Sequence, residues 1–187
     1  MGIVAFGGSR VVDCTASGNI SNGIYATGVA CSINGCVTSM NGQDGIDTVQ
    51  GCRIENCIAL VNGRHGIFTD DGCVVKSCTS NGNGVGGAGD GIHVGYYCWV
   101  NGNMANGNAN GAGILAAGDD RIDDNSVSSN AGGVICNPAI NCFVVRNTAH
   151  NNGAGGNYNF AVGNINAQVL APGAGFINTD PTANFSY

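Results

Sequence analysis

The chain alternates apolar and polar residues in short runs, and many of these runs begin with a Gly-Ile or Gly-Val pair. No stretch carries apolar residues at positions i, i+3, i+4 and i+7 over ten or more residues, which an amphipathic helix would require. Alternation with a period of two indicates short strands that bury one face. The pattern therefore predicts an all-β protein.

The alternation recurs about every 22 residues in aligned columns. One column contains Cys14, Cys36, Cys57, Cys78, Asn103, Asn125 and Asn147, separated by 22, 21, 21, 25, 22 and 22 residues. Five residues after each member comes an asparagine: Asn19, Asn41, Asn62, Asn83, Asn108, Asn130 and Asn152. A second cysteine column, five residues before the first, contains Cys31, Cys52, Cys73 and Cys98. This period predicts a solenoid with three short strands per coil, joined by turns in which Gly and Asn tolerate positive φ.

Coils of this length, with a Gly-Ile strand and an Asn turn, resemble the right-handed parallel β-helix repeats of the pectate-lyase-like superfamily. The resemblance covers about residues 2–155. It implies a single right-handed parallel β-helix of seven to eight coils, with coils over residues 1–155 and a last partial coil and irregular C-terminal cap over 156–187. That superfamily contains lyases, hydrolases, epimerases, phage spikes and non-enzymatic surface proteins, so the resemblance implies a fold rather than one activity.

Composition narrows the function classes. The 187 residues fit one domain, and the 33 glycines and 26 asparagines make up close to a third of them. A net charge of −6 argues against nucleic acid and anionic membrane as partners, and no apolar run approaches the roughly 20 residues of a membrane span. The first residues lack the basic segment and long apolar core of a signal peptide, so a secreted protein would have lost its signal or be part of a longer chain.

The ten cysteines admit three interpretations: inward-facing columns of reduced thiols, vertical disulfides between coils, or a metal site. Equivalent residues on neighbouring parallel strands lie about 4.8 Å apart, beyond the 3.5–4.5 Å between the Cβ atoms of a disulfide. Asparagine replaces cysteine in later coils of the same column, which fits a corner position better than a ligand. The sequence therefore favours buried thiol columns, and it predicts that the asparagine column forms a buried amide ladder.

Acidic, histidine and aromatic residues gather around the glycine of coils three to five. The candidate catalytic residues are Asp44, His65, Asp90 and His93, and the candidate sugar-binding residues are Tyr25, Asp47, Phe68, Asp70 and Tyr96. If the Gly-Ile aliphatic residue points inward, alternation directs these side chains outward on one face. Carboxylates two coils apart would have backbones about 9.6 Å apart, compatible with the carboxylate pair of an inverting glycosidase.

Two further interpretations of this face stay open. Asp44, Asp47 and Asp90 could instead hold a calcium ion through oxygen ligands. The face could also be an ordinary solvent-exposed ladder without a function. Lyases of the superfamily use a lysine or arginine base beside acidic residues, but Lys76 and Arg53 fall on another strand and only Arg64 is close.

The sparse charge and the lack of a complete catalytic set favour a non-catalytic structural or interaction protein. We expect such a protein to act outside the cell or at its surface and to associate end to end with copies of itself, without a cofactor other than calcium. The alternative is a polysaccharide lyase, a glycoside hydrolase or a sugar-binding module that uses the acidic face, with a polysaccharide as its partner.

Overall fold

A computed structural model describes residues 1–136, 138–171 and 180–187. In these residues the chain forms 25 strands, arranged in three parallel sheets with one strand from each coil. The described part of the chain contains no helix that is long and apolar enough to cross a membrane. The expectation of an all-β parallel solenoid with coils of about 22 residues is confirmed.

Each sheet runs the length of the solenoid. Sheet A contains β1 (Ile3–Ala5), β4 (Ile24–Ala26), β7 (Ile46–Thr48), β10 (Ile67–Thr69), β13 (Ile92–Tyr96), β16 (Ala112–Gly118), β19 (Gly132–Cys136) and β22 (Tyr158–Phe160). Sheet B contains β2 (Arg10–Val12), β5 (Ser32–Asn34), β8 (Arg53–Glu55), β11 (Val74–Lys76), β14 (Trp99–Asn101), β17 (Arg121–Asp123), β20 (Phe143–Val145) and β23 (Ile165–Asn166). Sheet C contains β3 (Thr15–Ser17), β6 (Val37–Ser39), β9 (Ile58–Leu60), β12 (Thr79–Asn81), β15 (Met104–Asn106), β18 (Ser126–Ser128), β21 (Thr148–His150), β24 (Val169–Leu170) and β25 (Asn184–Ser186).

The columns seen in the sequence are the pairing registers of the sheets. In sheet A, Ile24 pairs with Ile46 and Ile67 pairs with Ile92, so these side chains stack along the core. The residue before each cysteine-column corner has a left-handed backbone, as at Asn56 with φ 54°. Such corners turn the chain sharply from sheet B to sheet C, which agrees with the turn chemistry expected of the repeat.

The asparagine column forms the predicted amide ladder in the turn between sheets C and A. The Oδ1 atom of Asn62 accepts the backbone N–H of Asn41 at 3.1 Å and its side-chain amide at 2.9 Å. The Asn41 amide also donates to the carbonyl of Ala16 at 3.0 Å. The five central asparagines are buried and the two outer ones, Asn19 and Asn152, are half-buried.

The cysteine columns face the core as expected. All ten cysteines are free, and nine are buried while Cys14 is half-buried. Where the column changes to asparagine, the Cys78 N–H donates to Asn103 Oδ1 at 2.8 Å, and the Asn103 N–H donates to Asn125 Oδ1 at 2.9 Å. An asparagine in this position therefore caps the preceding coil, whereas a cysteine fills the corner mainly with apolar volume.

The two ends of the solenoid differ. At the C-terminal end, β25 lies between β21 and β24 in sheet C, and the Tyr158 hydroxyl donates to the Asn147 carbonyl at 2.7 Å. Residues 172–179 of the cap expected over 156–187 lie outside the described residues. At the other end, β1, β2 and β3 are the edge strands of their sheets.

Candidate functional site

In four consecutive coils the residue before the sheet A glycine is polar, and these side chains form a second hydrogen-bonded ladder. The Asn22 side-chain oxygen accepts the Asp44 N–H at 3.1 Å, and the Asp44 carboxylate accepts the His65 N–H at 2.9 Å. His65 Nδ1 then accepts the Asp90 N–H at 2.9 Å, and Asp90 Oδ1 accepts the Ala112 N–H at 2.7 Å. Each side chain thus caps a backbone N–H of the next coil, which by itself explains why polar residues occupy this turn.

The expectation that this turn position faces outward is wrong for the two aspartates. Asp44 and Asp90 are both buried, and so are the residues that follow Asp44, namely Gly45 and Ile46. Strict alternation holds only within an extended strand, and the turn that ends in Gly45 is not extended. His65 is half-buried beside them.

Asp44 anchors Arg64 rather than facing an open surface. Arg64 Nε donates to Asp44 Oδ1 at 2.8 Å, and an Nη atom of Arg64 donates to the other oxygen. The Asp44 side chain is 0% exposed, whereas that of Arg64 is 49% exposed. Both oxygens of Asp44 therefore have protein partners, and calcium binding by Asp44, Asp47 and Asp90 stays a prediction.

Asp90 and His93 form a hydrogen-bonded carboxylate–imidazole pair. His93 Nδ1 lies 2.9 Å from Asp90 Oδ2. Burial would raise the pKa of Asp90, but the neighbouring imidazoles of His65 and His93 and the hydrogen bond from the Ala112 N–H hold this pKa well below its usual range. An ionised Asp90 accepts the Nδ1 proton of His93, which leaves His93 Nε2 as a proton acceptor on a side chain that is 29% exposed.

Asp47, Phe68 and His93 follow one another on the outward face of sheet A. Asp47 pairs in register with Phe68, and Phe68 pairs with His93. The Phe68 ring centroid lies 5.2 Å from that of His93 and 5.7 Å from the Arg64 guanidinium carbon. Tyr25 precedes Asp47 in the same column.

The Asp47 carboxyl group retains its proton to an unusually high pH. Burial, and then the neighbouring charge of Asp44, raises the pKa of Asp47 to about 6. The Asn22 side-chain amide donates to Asp47 Oδ2 at 2.7 Å and opposes part of that rise. Two carboxyl groups near one aromatic side chain, Asp47 and Asp90, thus have pKa values shifted in opposite directions.

A cleft of about 620 Å³ opens beside His93. Tyr96 lies on the same strand as His93, and the other wall residues come from the next two coils: Leu115, Ala116, Ala117, Asp119, Pro138, Ala139 and Ile140. Sequence reasoning placed Tyr96 here but missed the rest, because the segment from Pro138 to Ile140 follows no column of the repeat. Asp70 lies exposed at the far end of β10, and its neighbour Asp71 accepts the Tyr96 N–H at 2.8 Å.

His65, Asp90 and His93 also form the one group of possible metal ligands found among the described residues. One ligand atom of each lies within 4.8 Å of the others. However, the Nδ1 lone pair of His65 accepts the Asp90 N–H, and His93 Nδ1 is hydrogen-bonded to the Asp90 carboxylate. The Nδ1 atoms of both histidines are thus engaged with Asp90.

No protein-family model matches the chain, and no curated protein matches its sequence. A solved structure, the A-module of the mannuronan C-5 epimerase AlgE6 from Azotobacter vinelandii, is similar with a TM-score of 0.56. The similarity covers 79% of this chain at 16% sequence identity. The chain has a parallel β-helix fold. It matches 40% of the length of that module, and at this identity the similarity concerns the fold alone.

Proposed function

We propose that the chain hydrolyses a polysaccharide on the outward face of sheet A. The observation that carries the proposal is a pair of carboxyl groups whose pKa values are shifted in opposite directions. Burial raises the pKa of Asp47, on this face, to about 6, while the pKa of Asp90, buried in the turn before β13 and bonded to His93, is held well below its usual range. Groups whose environments separate their pKa values in this way suit the two halves of acid–base catalysis.

Each residue of this set has a distinct role. Asp47 holds a proton and serves as the general acid. Asp90, ionised and fixed by the Ala112 N–H, orients His93, so that His93 Nε2 serves as the general base for a water molecule. Asp47 and His93 lie two strands apart, about 9.6 Å along the sheet, which leaves room for that water beside a sugar bound over Phe68.

The reaction balances with these groups alone. A water oxygen attacks the anomeric carbon while the bond from that carbon to the glycosidic oxygen breaks. The departing oxygen takes the proton of Asp47, and the water gives a proton to His93. Exchange with solvent then restores both side chains, and attack from the face opposite the leaving group inverts the anomeric centre.

Aromatic side chains supply a platform for sugar rings. Tyr25 and Phe68 lie in the outward column of sheet A, and Tyr96 lies at the cleft. Flat apolar rings with a polar rim suit the two faces of a pyranose. The similar A-module carries the name of a polysaccharide-modifying enzyme, which supports a polymeric sugar as the ligand but not a particular reaction. A polysaccharide substrate fits a location outside the cell or at its surface, which stays a prediction.

The proposal is tested by release of reducing ends from a set of neutral and uronate polysaccharides. His93→Ala should lower the rate about 10²- to 10⁴-fold because the general base is lost. His150→Ala is the matched control, since His150 lies in sheet C and stacks on Tyr187 at 4.9 Å. Absence of new reducing ends from every polymer would overturn the proposal, and an unsaturated product would replace hydrolysis with elimination.

End-to-end association is a second candidate, favoured by the first coil. The edge strands β1 and β2 border a groove of about 490 Å³, and Phe6 beside it is 70% exposed. Exposed edges with apolar side chains template pairing with another chain. Sedimentation of the wild type against Phe6→Lys tests this candidate, with Val85→Lys as the control because Val85 is also exposed but lies between β12 and β13, away from both ends. A wild type that remains monomeric at high concentration would exclude it.

A further inference from the structure

We infer that the polymer is uncharged and that the sugar beside His93 carries a small apolar substituent, such as an O-acetyl group. This inference rests on the proposed hydrolysis and adds the substrate class. It comes from the chemistry of the cleft next to the Asp90–His93 pair, whose lining combines apolar side chains with the carboxylate of Asp119.

The charges around the cleft disfavour a polymer of uronic acids. Asp119 lines the cleft, and Asp90 is hydrogen-bonded to His93 at its rim. Among the described residues the lining contains no lysine or arginine, and Arg64, near Phe68, is already paired with Asp44. A sugar carboxylate bound here would lose its hydration without gaining a cationic partner and would meet repulsion from the aspartates.

A second arginine in the next sheet is also occupied. Arg121 donates to Asp123 at 2.9 Å and lies over the Phe143 ring, at 5.2 Å from its centroid. Arg64 thus neutralises Asp44, whereas Arg121 and Arg146 share the carboxylate of Asp123, and neither of those two is among the residues that line the cleft. An uncharged sugar avoids this mismatch, because its hydroxyl groups can accept and donate hydrogen bonds at the His93 and Tyr96 rim without bringing a charge.

The interior of the cleft is apolar. Six of its lining residues have no polar side-chain atom, namely Leu115, Ala116, Ala117, Pro138, Ala139 and Ile140. A bare hydroxyl group in that interior would lose hydrogen bonds to water, whereas a methyl group would gain from leaving water. The polar groups, His93, Tyr96 and Asp119, leave the sugar ring a polar boundary while the substituent points inward.

The size of the cleft fits this arrangement. Its volume of about 620 Å³ lies within the range of small-molecule sites. Ile140 is 52% exposed, so its side chain forms an accessible wall rather than part of the solenoid core. Leu115 pairs in register with His93, which places the apolar wall directly beside the proposed base.

The test compares three probes: acetylated glucomannan, the same polymer after alkaline deacetylation, and polygalacturonate at low ionic strength. Affinity electrophoresis gives the dissociation constants, and reducing-end release is followed in parallel. The wild type should bind the acetylated polymer about tenfold more tightly than the deacetylated one, and polygalacturonate more weakly than either. Ile140→Asn should abolish the preference for acetyl groups and leave affinity for the deacetylated polymer unchanged. Ile20→Asn, a change at a 96% exposed isoleucine outside the cleft, should retain the preference.

The outcomes separate the two proposals. Equal affinity for the two glucomannans, or a preference for acetyl groups that survives in Ile140→Asn, would overturn the inference that the cleft binds an apolar substituent. Tighter binding of polygalacturonate than of either glucomannan, with release of its reducing ends, would overturn the inference of an uncharged substrate and would leave the proposed hydrolysis intact. Absence of binding and of products with all three polymers would overturn this inference, whereas the proposed function would be overturned only if the wider set of polysaccharides also yielded no reducing ends.

Discussion

The side-chain oxygen of Asn108 accepts two hydrogen bonds from Asn83, one coil earlier: the backbone N–H at 2.9 Å and the side-chain amide at 3.1 Å. The Asn83 amide also donates to the Ala59 carbonyl at 3.1 Å and to the Ser80 hydroxyl at 3.0 Å. Each asparagine is therefore donor and acceptor at once, which aspartate cannot be when ionised. This explains why asparagine occupies the position in seven coils.

Asn83→Ala should destabilise the solenoid markedly. It removes the acceptor of the Asn62 N–H and side-chain amide in a buried turn. Each buried polar group left without a partner costs about 1–3 kcal/mol, so urea unfolding should show a loss of at least that size. Asn101→Ala, at a half-buried position in β14 with one bond to the Asp123 carbonyl, should cost less than about 1 kcal/mol. Equal losses in the two variants would contradict the ladder's role.

Hydrolysis should decline as pH rises through about 6. Burial, and then the charge of Asp44, raises the pKa of Asp47 above its ordinary value of 3.8 to about 6, so the protonated acid is lost above that pH. Asp47→Asn should lower kcat/KM about 10²- to 10⁴-fold and remove this limb of the pH profile. Asp124→Asn, at an exposed corner of sheet B, should keep both rate and profile. If the rate of Asp47→Asn still fell as pH rose through about 6, the general-acid proton would belong to another group.

Asp120 should make the fold less stable as pH rises. It occupies a cysteine-column position, accepts the Cys98 N–H at 2.7 Å and the Gly118 N–H at 3.0 Å, and is buried. Burial, with the charges of neighbouring aspartates, raises its pKa from 3.8 to about 7. The folded state therefore holds the proton more tightly than the unfolded state. The protonated Asp120 thus contributes fully to the free energy of unfolding below about pH 4, and this stabilisation is lost as pH rises through about 7.

The measurement is thermal unfolding from pH 4 to pH 8. Asp120→Asn should flatten the fall in melting temperature, because asparagine cannot ionise. Asparagine also suits this column: Asn164, two coils after Asp120, accepts the Cys142 N–H at 2.9 Å. The advantage of the variant over the wild type should grow with pH. Asp124→Asn should follow the wild-type curve. Parallel curves for Asp120→Asn and the wild type would show that Asp120 does not titrate in this range.

The cysteines should be mostly reduced thiols. A thiol count in denaturant without reductant should give more than half of the ten, because stacked parallel strands keep Cβ atoms too far apart for relaxed disulfides. Under native conditions half-buried Cys14 should react first and the nine buried thiols slowly. A denatured count near zero would instead mean disulfides and an oxidising compartment.

The sequence alone determined the coils. Equivalent residues recur at the length of one coil, as Ile46 and Ile67 do, and Asn62 and Asn83. Parallel stacking places residues one coil apart in direct register. Within strands the outward positions were also predictable, since Tyr25, Asp47, Phe68 and His93 follow the pleat and are half-buried on the outer face.

Only the tertiary structure decided the chemistry of the site. Side-chain direction in a turn depends on local backbone angles rather than on alternation, so the burial of Asp44 and its pairing with Arg64 followed from no pattern. The same holds for Asp90, whose carboxylate meets His93 three residues on and the Ala112 N–H in the next coil. The cleft wall at Ile140 belongs to a segment outside the repeat, and a period specifies only the residues that obey it.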